Sequence, residues 1–308
     1  MLSFNTAFSI GAVPITWNAI MLALGILAAV VVSEILVKKR GAYKDLALDA
    51  CIIGIVAGIL GARLFSAVSG KIAFSAFFTL SETGLNLPGA LLFAGTAITV
   101  YARIKKFPVF ETFDVLLPGA FFGLAIGRWS DFFLCEGLGP VAGADGPKFF
   151  PIITFTEQYF QDGRTVAYAV FFLDFLICVA LGAAALFLTK KLKNGKASRV
   201  LILLYLFAAF ILEWLRDGAL RQTVAGVRFN QIVWMAMLLF FVAINLIQAR
   251  HEDDAPKDDK AADEPVREQS AEGEGIDPGV PEESATEEPA GEAAQFPEES
   301  EGKEREDA

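Results

Sequence analysis

Seven long apolar stretches limit what this chain can fold into more than any other feature. A helix needs about 20 mostly apolar residues to cross the hydrocarbon core of a bilayer. The stretches that approach this length are Pro14–Val37, Leu46–Val68, Leu87–Ala102, Phe110–Gly127, Val166–Thr189, Val200–Trp214 and Ile232–Ile247. This pattern predicts an all-α integral membrane protein with about seven transmembrane helices, and we assign residues 1–250 to that polytopic domain.

Residues 251–308 have the opposite composition. They contain 22 acidic and 5 basic residues and therefore carry a net charge of −17. The whole chain has a net charge of −10, so residues 1–250 carry a net charge of +7. A segment made largely of Glu, Asp, Pro, Ala and Gly buries too little apolar surface to offset the entropy of ordering. We therefore predict a disordered acidic tail.

The Lys and Arg residues between the apolar stretches predict the orientation. The loops after the first, third and fifth stretches hold 12 of them in dense clusters, whereas the opposite loops hold 7 over longer distances. Loops rich in Lys and Arg stay in the cytoplasm. The N-terminus is then outside, and an odd number of spans puts the acidic tail in the cytoplasm.

The sequence contains no pattern typical of a metal site or a disulfide framework. Its three cysteines, Cys51, Cys135 and Cys178, lack metal-ligand spacing, and the single histidine, His251, lies in the tail. We expect no metal and no other cofactor. We expect a lipid bilayer as the setting and no nucleic acid as a partner.

Charged side chains in or beside the apolar stretches are the strongest pointers to function, because each costs about 2.5–3.5 kcal/mol or more at the bilayer centre. Three groups stand out: Arg63; Arg128 with Asp131 and Glu136; and Tyr205 with Glu213, Trp214, Arg216 and Asp217. Each group also has a simpler explanation, as interfacial charge at a helix end. All three fall towards the outer side in the predicted orientation, where arginines, carboxylates and a tyrosine would suit an anionic lipid headgroup.

Several motifs occur in an order that is typical of one family. They are Phe8–Gly11 before Ile15–Trp17, Gly61–Arg63, Asp114 with Pro118, Gly123–Glu136, Tyr205 followed by Glu213 with Arg216, and Asn230–Gln231. Over residues 8–248 the chain resembles the bacterial prolipoprotein diacylglyceryl transferases. Gly123–Glu136 is similar to their signature, Gly-Arg-x-Gly-Asn-Phe-x-Asn-x-Glu.

The resemblance implies transfer of the diacylglyceryl group of phosphatidylglycerol to the lipobox cysteine thiol of a prolipoprotein. The implied partners are phosphatidylglycerol and the prolipoprotein signal peptide, and the implied location is the bacterial plasma membrane. The implied catalytic residues are Glu136 as base, Tyr205 and Arg128. The implied phosphate-binding residues are Arg63, Arg128, Asp131 and Gln231.

The sequence departs from the family pattern at important positions. Pro88 stands where the family has histidine, Ala209 stands where it has arginine, and Asp131 replaces an asparagine. Of the family motif His-Pro-x-x-x-Tyr-Glu, only Tyr168 remains recognisable, followed by Ala169. These changes leave open a second hypothesis, an inactive paralogue that binds lipid or lipoprotein. A small-solute transporter is a third and weaker one, because no internal repeat is evident.

Overall fold

The computed structural model describes residues 5–11, 13–40, 46–78, 85–142, 149–155, 166–192, 195–216, 223–224 and 227–254. These residues include seven helices long and apolar enough to cross a membrane, the fourth counted together with a short helix that follows it. The helices are α1 Trp17–Arg40, α2 Leu46–Val68, α3 Leu87–Ile104, α4 Val109–Gly127, α5 Trp129–Leu134, α6 Val170–Lys191, α7 Lys196–Leu215 and α8 Phe229–Asp254. The prediction of an all-α, seven-span membrane protein is confirmed.

Three short antiparallel hairpins stand directly before α1, α6 and α8. They are β1 Thr6–Ile10 with β2 Val13–Thr16, β3 Ile153–Phe155 with β4 Val166–Tyr168, and β5 Thr223–Val224 with β6 Val227–Arg228. Consecutive spans run in opposite directions, so these three hairpins lie at the same end of the bundle. We call it the hairpin end.

Two predicted spans begin too early. The first starts at Trp17 and not at Pro14, because Val13–Thr16 pairs with the strand before it. The fifth starts at Val170 and not at Val166, because Val166 pairs with Phe155 across a second hairpin. An apolar run next to a helix does not reveal by itself where strand ends and helix begins.

The sixth span begins earlier than predicted, at Lys196 instead of Val200, because a distant carboxylate caps it. Asp114 of α4 accepts hydrogen bonds from the backbone N–H groups of Gly195 at 3.0 Å and Ser198 at 2.6 Å. The first N–H groups of a helix have no partner within the helix and need acceptors of this kind. The cap joins α4 to α7 at the end opposite the hairpins.

Close glycine contacts join the helices in pairs. Gly61 of α2 faces Gly89 of α3, and a Cβ on either would lie 2.5 Å from the carbonyl oxygen of the other. Gly25 of α1 and Gly123 of α4 approach each other in the same way. Small residues let membrane helices come close enough for extensive van der Waals contact. Both helix contacts are this close because glycine has no side chain.

The helix α4 lies at the centre of the bundle, in contact with α1, α6 and α7. Its Phe121 ring lies 5.7 Å from the ring of Tyr205 in α7, which in turn lies 6.1 Å from Trp234 in α8. Ala209, one turn along α7 from Tyr205, is buried in the same apolar cluster. This core supports the hairpin end from within.

The last helix continues to Asp254 and so includes the first four residues of the segment predicted as tail. Residues 255–308, which carry the rest of that prediction, lie outside the described residues. The basic clusters at the ends of α1 and α6 lie at the end of the bundle opposite the hairpins.

Candidate active site

A polar pocket opens at the hairpin end, where α2, α4 and α7 finish and α3, α6 and α8 begin. Three cations line it, Lys71, Arg128 and Arg216. Its other polar walls are the carboxylates of Asp131, Glu136 and Glu213 and the amides of Asn86 and Asn230. The pocket volume is about 200 Å³, below the roughly 300–1,000 Å³ of sites for drug-sized molecules. It has room for a small headgroup and not for acyl chains.

Arg128 lies at the junction of α4 and α5 and is 93% buried. One Nη forms an ion pair with Asp131 at 3.3 Å, and the other is in ion-pair contact with Asp174 of α6. Its Nε has no hydrogen-bond partner among the described residues. The Tyr205 hydroxyl of α7 interacts with the guanidinium. Arg128 is therefore contacted from three helices.

Asp174 is a site residue that sequence reasoning missed. It is 2% exposed and stands one turn into α6, in an otherwise apolar segment. One signal in the sequence could have identified it, because an ionisable residue inside a span is costly and usually functional.

Glu136 reaches the pocket through a sharp backbone turn. The helix α5 ends at Leu134, and the next residue, Cys135, has a left-handed conformation (φ 52°) that is uncommon for a residue with a side chain. The Glu136 N–H then donates to the Asp131 carbonyl at 2.8 Å. The Glu136 carboxylate forms a 2.6 Å ion pair with Lys71, from the segment after α2.

Two asparagines close the opposite wall. Asn86 caps α3 by accepting from the Gly89 N–H at 3.2 Å, and its amide donates to Asn230 at the start of α8 at 2.7 Å. Pro88 follows in the first turn of α3 and also lines the pocket. This is the position at which the resemblance would place a histidine.

The predicted site residues divide into three groups in the structure. Arg128, Asp131 and Glu136 line one pocket. Tyr205 lies beneath it, against Arg128. Arg63, although buried, and Gln231 do not belong to the described lining; Asn230, the neighbour of Gln231, does.

The described pocket is balanced in charge. Lys71, Arg128 and Arg216 each form an ion pair with a carboxylate, the last with Glu213 at 3.2 Å. Asp174 behind Arg128 adds a fourth carboxylate to the three in the lining. An anionic ligand must therefore compete with carboxylates for cations that are already positioned.

The fold and the site together define a multi-pass membrane protein with a polar pocket, of headgroup size, at one end of its helix bundle. Residues 5–247 match the family model for prolipoprotein diacylglyceryl transferase. The chain belongs to this family, as the sequence resemblance indicated.

Curated relatives agree with this assignment. The phosphatidylglycerol–prolipoprotein diacylglyceryl transferase of Clostridium kluyveri is 29% identical over 234 residues, 74% of this chain and 89% of that protein. The protein of the same name from Clostridium botulinum strain Langeland is 27% identical over 256 residues, 79% of this chain and 96% of that protein. The likeness thus covers nearly the whole length of each relative.

Proposed function

We propose that the protein transfers the diacylglyceryl group of phosphatidylglycerol to the lipobox cysteine of prolipoproteins, in the plasma membrane of a bacterium. The observation that carries the proposal is the pocket around Arg128, which the family match covers in full. Its size suits a glycerol phosphate headgroup, with the acyl chains left in the bilayer.

The chemistry requires a proton acceptor and cations. The cysteine sulfur attacks the glycerol carbon that carries the phosphate ester, so a C–S bond forms and a C–O bond breaks. Glycerol phosphate leaves with the bonding electrons, and the thiol proton passes to a base. Glu136 is that base in our proposal, and Arg128 stabilises the departing phosphate because it is held in place before the reaction begins.

The remaining predicted residues have supporting roles. Tyr205 positions Arg128 from below. Asp131, assigned to the phosphate site by resemblance, lies beside Arg128 as its ion-pair partner. Arg63 and Gln231 stay predicted phosphate contacts although both lie outside the described lining, and transfer rates of their alanine variants would test them.

The pocket faces the outer side in the proposed orientation, with the basic clusters and the acidic tail in the cytoplasm. Both substrates would then reach it from the outer leaflet. The family match and the names of the relatives favour transfer over the inactive paralogue considered above.

Complementation tests this function. In bacterial cells depleted of their own diacylglyceryl transferase, expression of the protein should restore lipidated lipoproteins and growth. Arg128→Ala and Glu136→Gln should fail to restore them, whereas Lys39→Ala, at the opposite end of the bundle, should succeed. Absence of lipidated lipoprotein with well-expressed protein would contradict the proposal and favour the inactive paralogue.

A further inference from the structure

Lys71 is fixed at the pocket by the way α2 ends. The N–H of Gly70 donates to the Ala67 carbonyl at 3.1 Å, and the N–H of Lys71 donates to the Ser66 carbonyl at 2.9 Å. Gly70 adopts the left-handed conformation, with φ +78°. These bonds form a Schellman cap, the common glycine-based helix ending. The cap sets the direction in which the Lys71 side chain leaves the backbone.

The Lys71 ammonium is better able to change partners than the guanidinium of Arg128. Its only described ion pair is with Glu136, at 2.6 Å, and the two side chains are 21% and 38% exposed. The pair is only part-buried, and the lysine ammonium stands on a flexible four-carbon stem. Arg128, by contrast, is buried and held by two aspartates at once.

We propose that Lys71 is a phosphate-binding switch that controls Glu136, an inference that rests on the proposed function. Without substrate, Lys71 occupies the Glu136 carboxylate. The phosphate of an incoming lipid draws the ammonium away, and the carboxylate becomes available to accept the thiol proton. One group thus binds the donor lipid and releases the base.

Charge explains why a second cation is needed. Asp131 and Asp174 already offset the charge of Arg128. The phosphate passes from a diester with one negative charge to a monoester that carries nearly two at neutral pH. Because the negative charge on the phosphate grows during the reaction, a cation already beside it stabilises the product side more than the substrate side, and that difference is what speeds a reaction.

A purely structural brace is the competing explanation for the pair. Lys71 follows α2 and Glu136 follows α5, so their contact joins two segments of the hairpin end. A brace has no reason to respond to phosphate. Removing either partner of a brace should have the same effect, whereas the two partners of a switch should give opposite effects on binding.

Calorimetry with short-chain lipids separates the two explanations. The full-length protein in detergent is titrated with dihexanoyl phosphatidylglycerol and, separately, with dihexanoylglycerol, which lacks the phosphate. Lys71→Met should weaken binding of the phospholipid by about tenfold, the loss expected for one charge-assisted hydrogen bond, and leave the diacylglycerol unaffected. Lys71→Arg should recover most of the affinity.

The Glu136→Gln variant gives the decisive contrast. It should bind phosphatidylglycerol at least as tightly as the wild type, since no ion pair has to break, and yet transfer nothing. Lys38→Met is the matched control, because Lys38 forms an exposed ion pair with Glu34 at 3.2 Å far from the pocket. Its affinity and its transfer rate should both stay unchanged.

Two results would overturn the switch. One is phospholipid binding by Lys71→Met equal to that of the wild type. The other is an equal loss of affinity in Lys71→Met and Glu136→Gln, which is the behaviour of a brace. Failure of the proposed function gives a different result. The wild type and the variants then bind phosphatidylglycerol with the affinities expected for the switch, but the wild type transfers nothing to a lipobox peptide.

Discussion

At the scale of single residues, the site depends on how one buried guanidinium is held. Arg128 is paired with one carboxylate from its own helix end and one from α6, and it interacts with the Tyr205 hydroxyl of α7. Such an arrangement fixes the donors before a ligand arrives, which is the main source of electrostatic catalysis. The two carboxylates differ in depth, because Asp174 is 2% exposed and Asp131 is 17% exposed. We expect them to differ in function.

Asp174→Asn should mainly reduce stability. Asp174 is the more deeply buried of the two carboxylates that pair with Arg128. Removing one partner of a buried ion pair costs about 3–5 kcal/mol when the other charge is left alone, and the loss here should be smaller because Asp131 still pairs with Arg128. Thermal unfolding in detergent should show a clear drop in the apparent midpoint, with transfer activity lost as well. A midpoint equal to that of the wild type would contradict the importance we assign to this pair.

Asp131→Asn should improve binding of the anionic donor. The substitution removes a negative charge beside Arg128 and keeps a side chain of the same shape. At an effective dielectric constant of about 20, even a distant charge at the pocket changes affinity by about tenfold. Kinetics should show a lower KM for phosphatidylglycerol; a higher KM would mean that the Asp131 carboxylate itself helps to bind the donor.

The residue-level predictions from sequence were partly sufficient. Charge within an apolar segment was enough to select Arg128, Asp131 and Glu136, which share the pocket. Asp174 carries the same signal and was overlooked. Lys71 could not have been selected, because a lysine between two spans is usual, and only the fold brings it within 2.6 Å of Glu136.

At the scale of elements, glycine contacts decide which helices pair. The α2–α3 contact depends on Gly61, where a Cβ would lie 2.5 Å from the Gly89 carbonyl oxygen and from the Phe93 side chain. The same pair of helices brings Lys71 and Asn86 to the pocket. Disturbing this contact should therefore affect both stability and the site.

Gly61→Ala should destabilise the protein by about 1–3 kcal/mol, the usual cost of forcing extra atoms into a packed contact. Gly95→Ala on α3 is the matched control, since nothing lies within 4 Å of its added Cβ. This control should be neutral or slightly stabilising, because alanine favours helix over glycine. Apparent unfolding midpoints in detergent measure both variants, and equal midpoints would contradict the close contact.

Element boundaries were harder to predict than element number. Length and hydropathy suffice for seven spans, because the bilayer sets both. The hairpins before α1 and α6 were missed because the strands next to these helices, Val13–Thr16 and Val166–Tyr168, continue the apolar run. The start of α7 depends on Asp114, more than 80 residues earlier in the chain, and no local pattern reveals such a cap.

At the scale of the whole molecule, the proposal requires the hairpin end to face outwards. Lysine and arginine clusters at the other end favour this orientation. A variant without native cysteines, given one cysteine at Ser75 or at Lys39, tests it in intact cells. A membrane-impermeant maleimide should label Ser75→Cys at once and Lys39→Cys only after the cells are permeabilised; the reverse pattern would place the pocket on the wrong side.

The most direct test of the account is transfer by the purified protein. Full-length protein in phosphatidylglycerol vesicles is incubated with a synthetic lipobox peptide, and the mass of the peptide is measured by mass spectrometry. We predict a gain equal to one diacylglyceryl group with the wild-type protein, and none with Arg128→Ala or with a peptide whose cysteine is replaced by serine. An unmodified peptide with folded wild-type protein, under conditions in which an established diacylglyceryl transferase modifies it, would contradict the account.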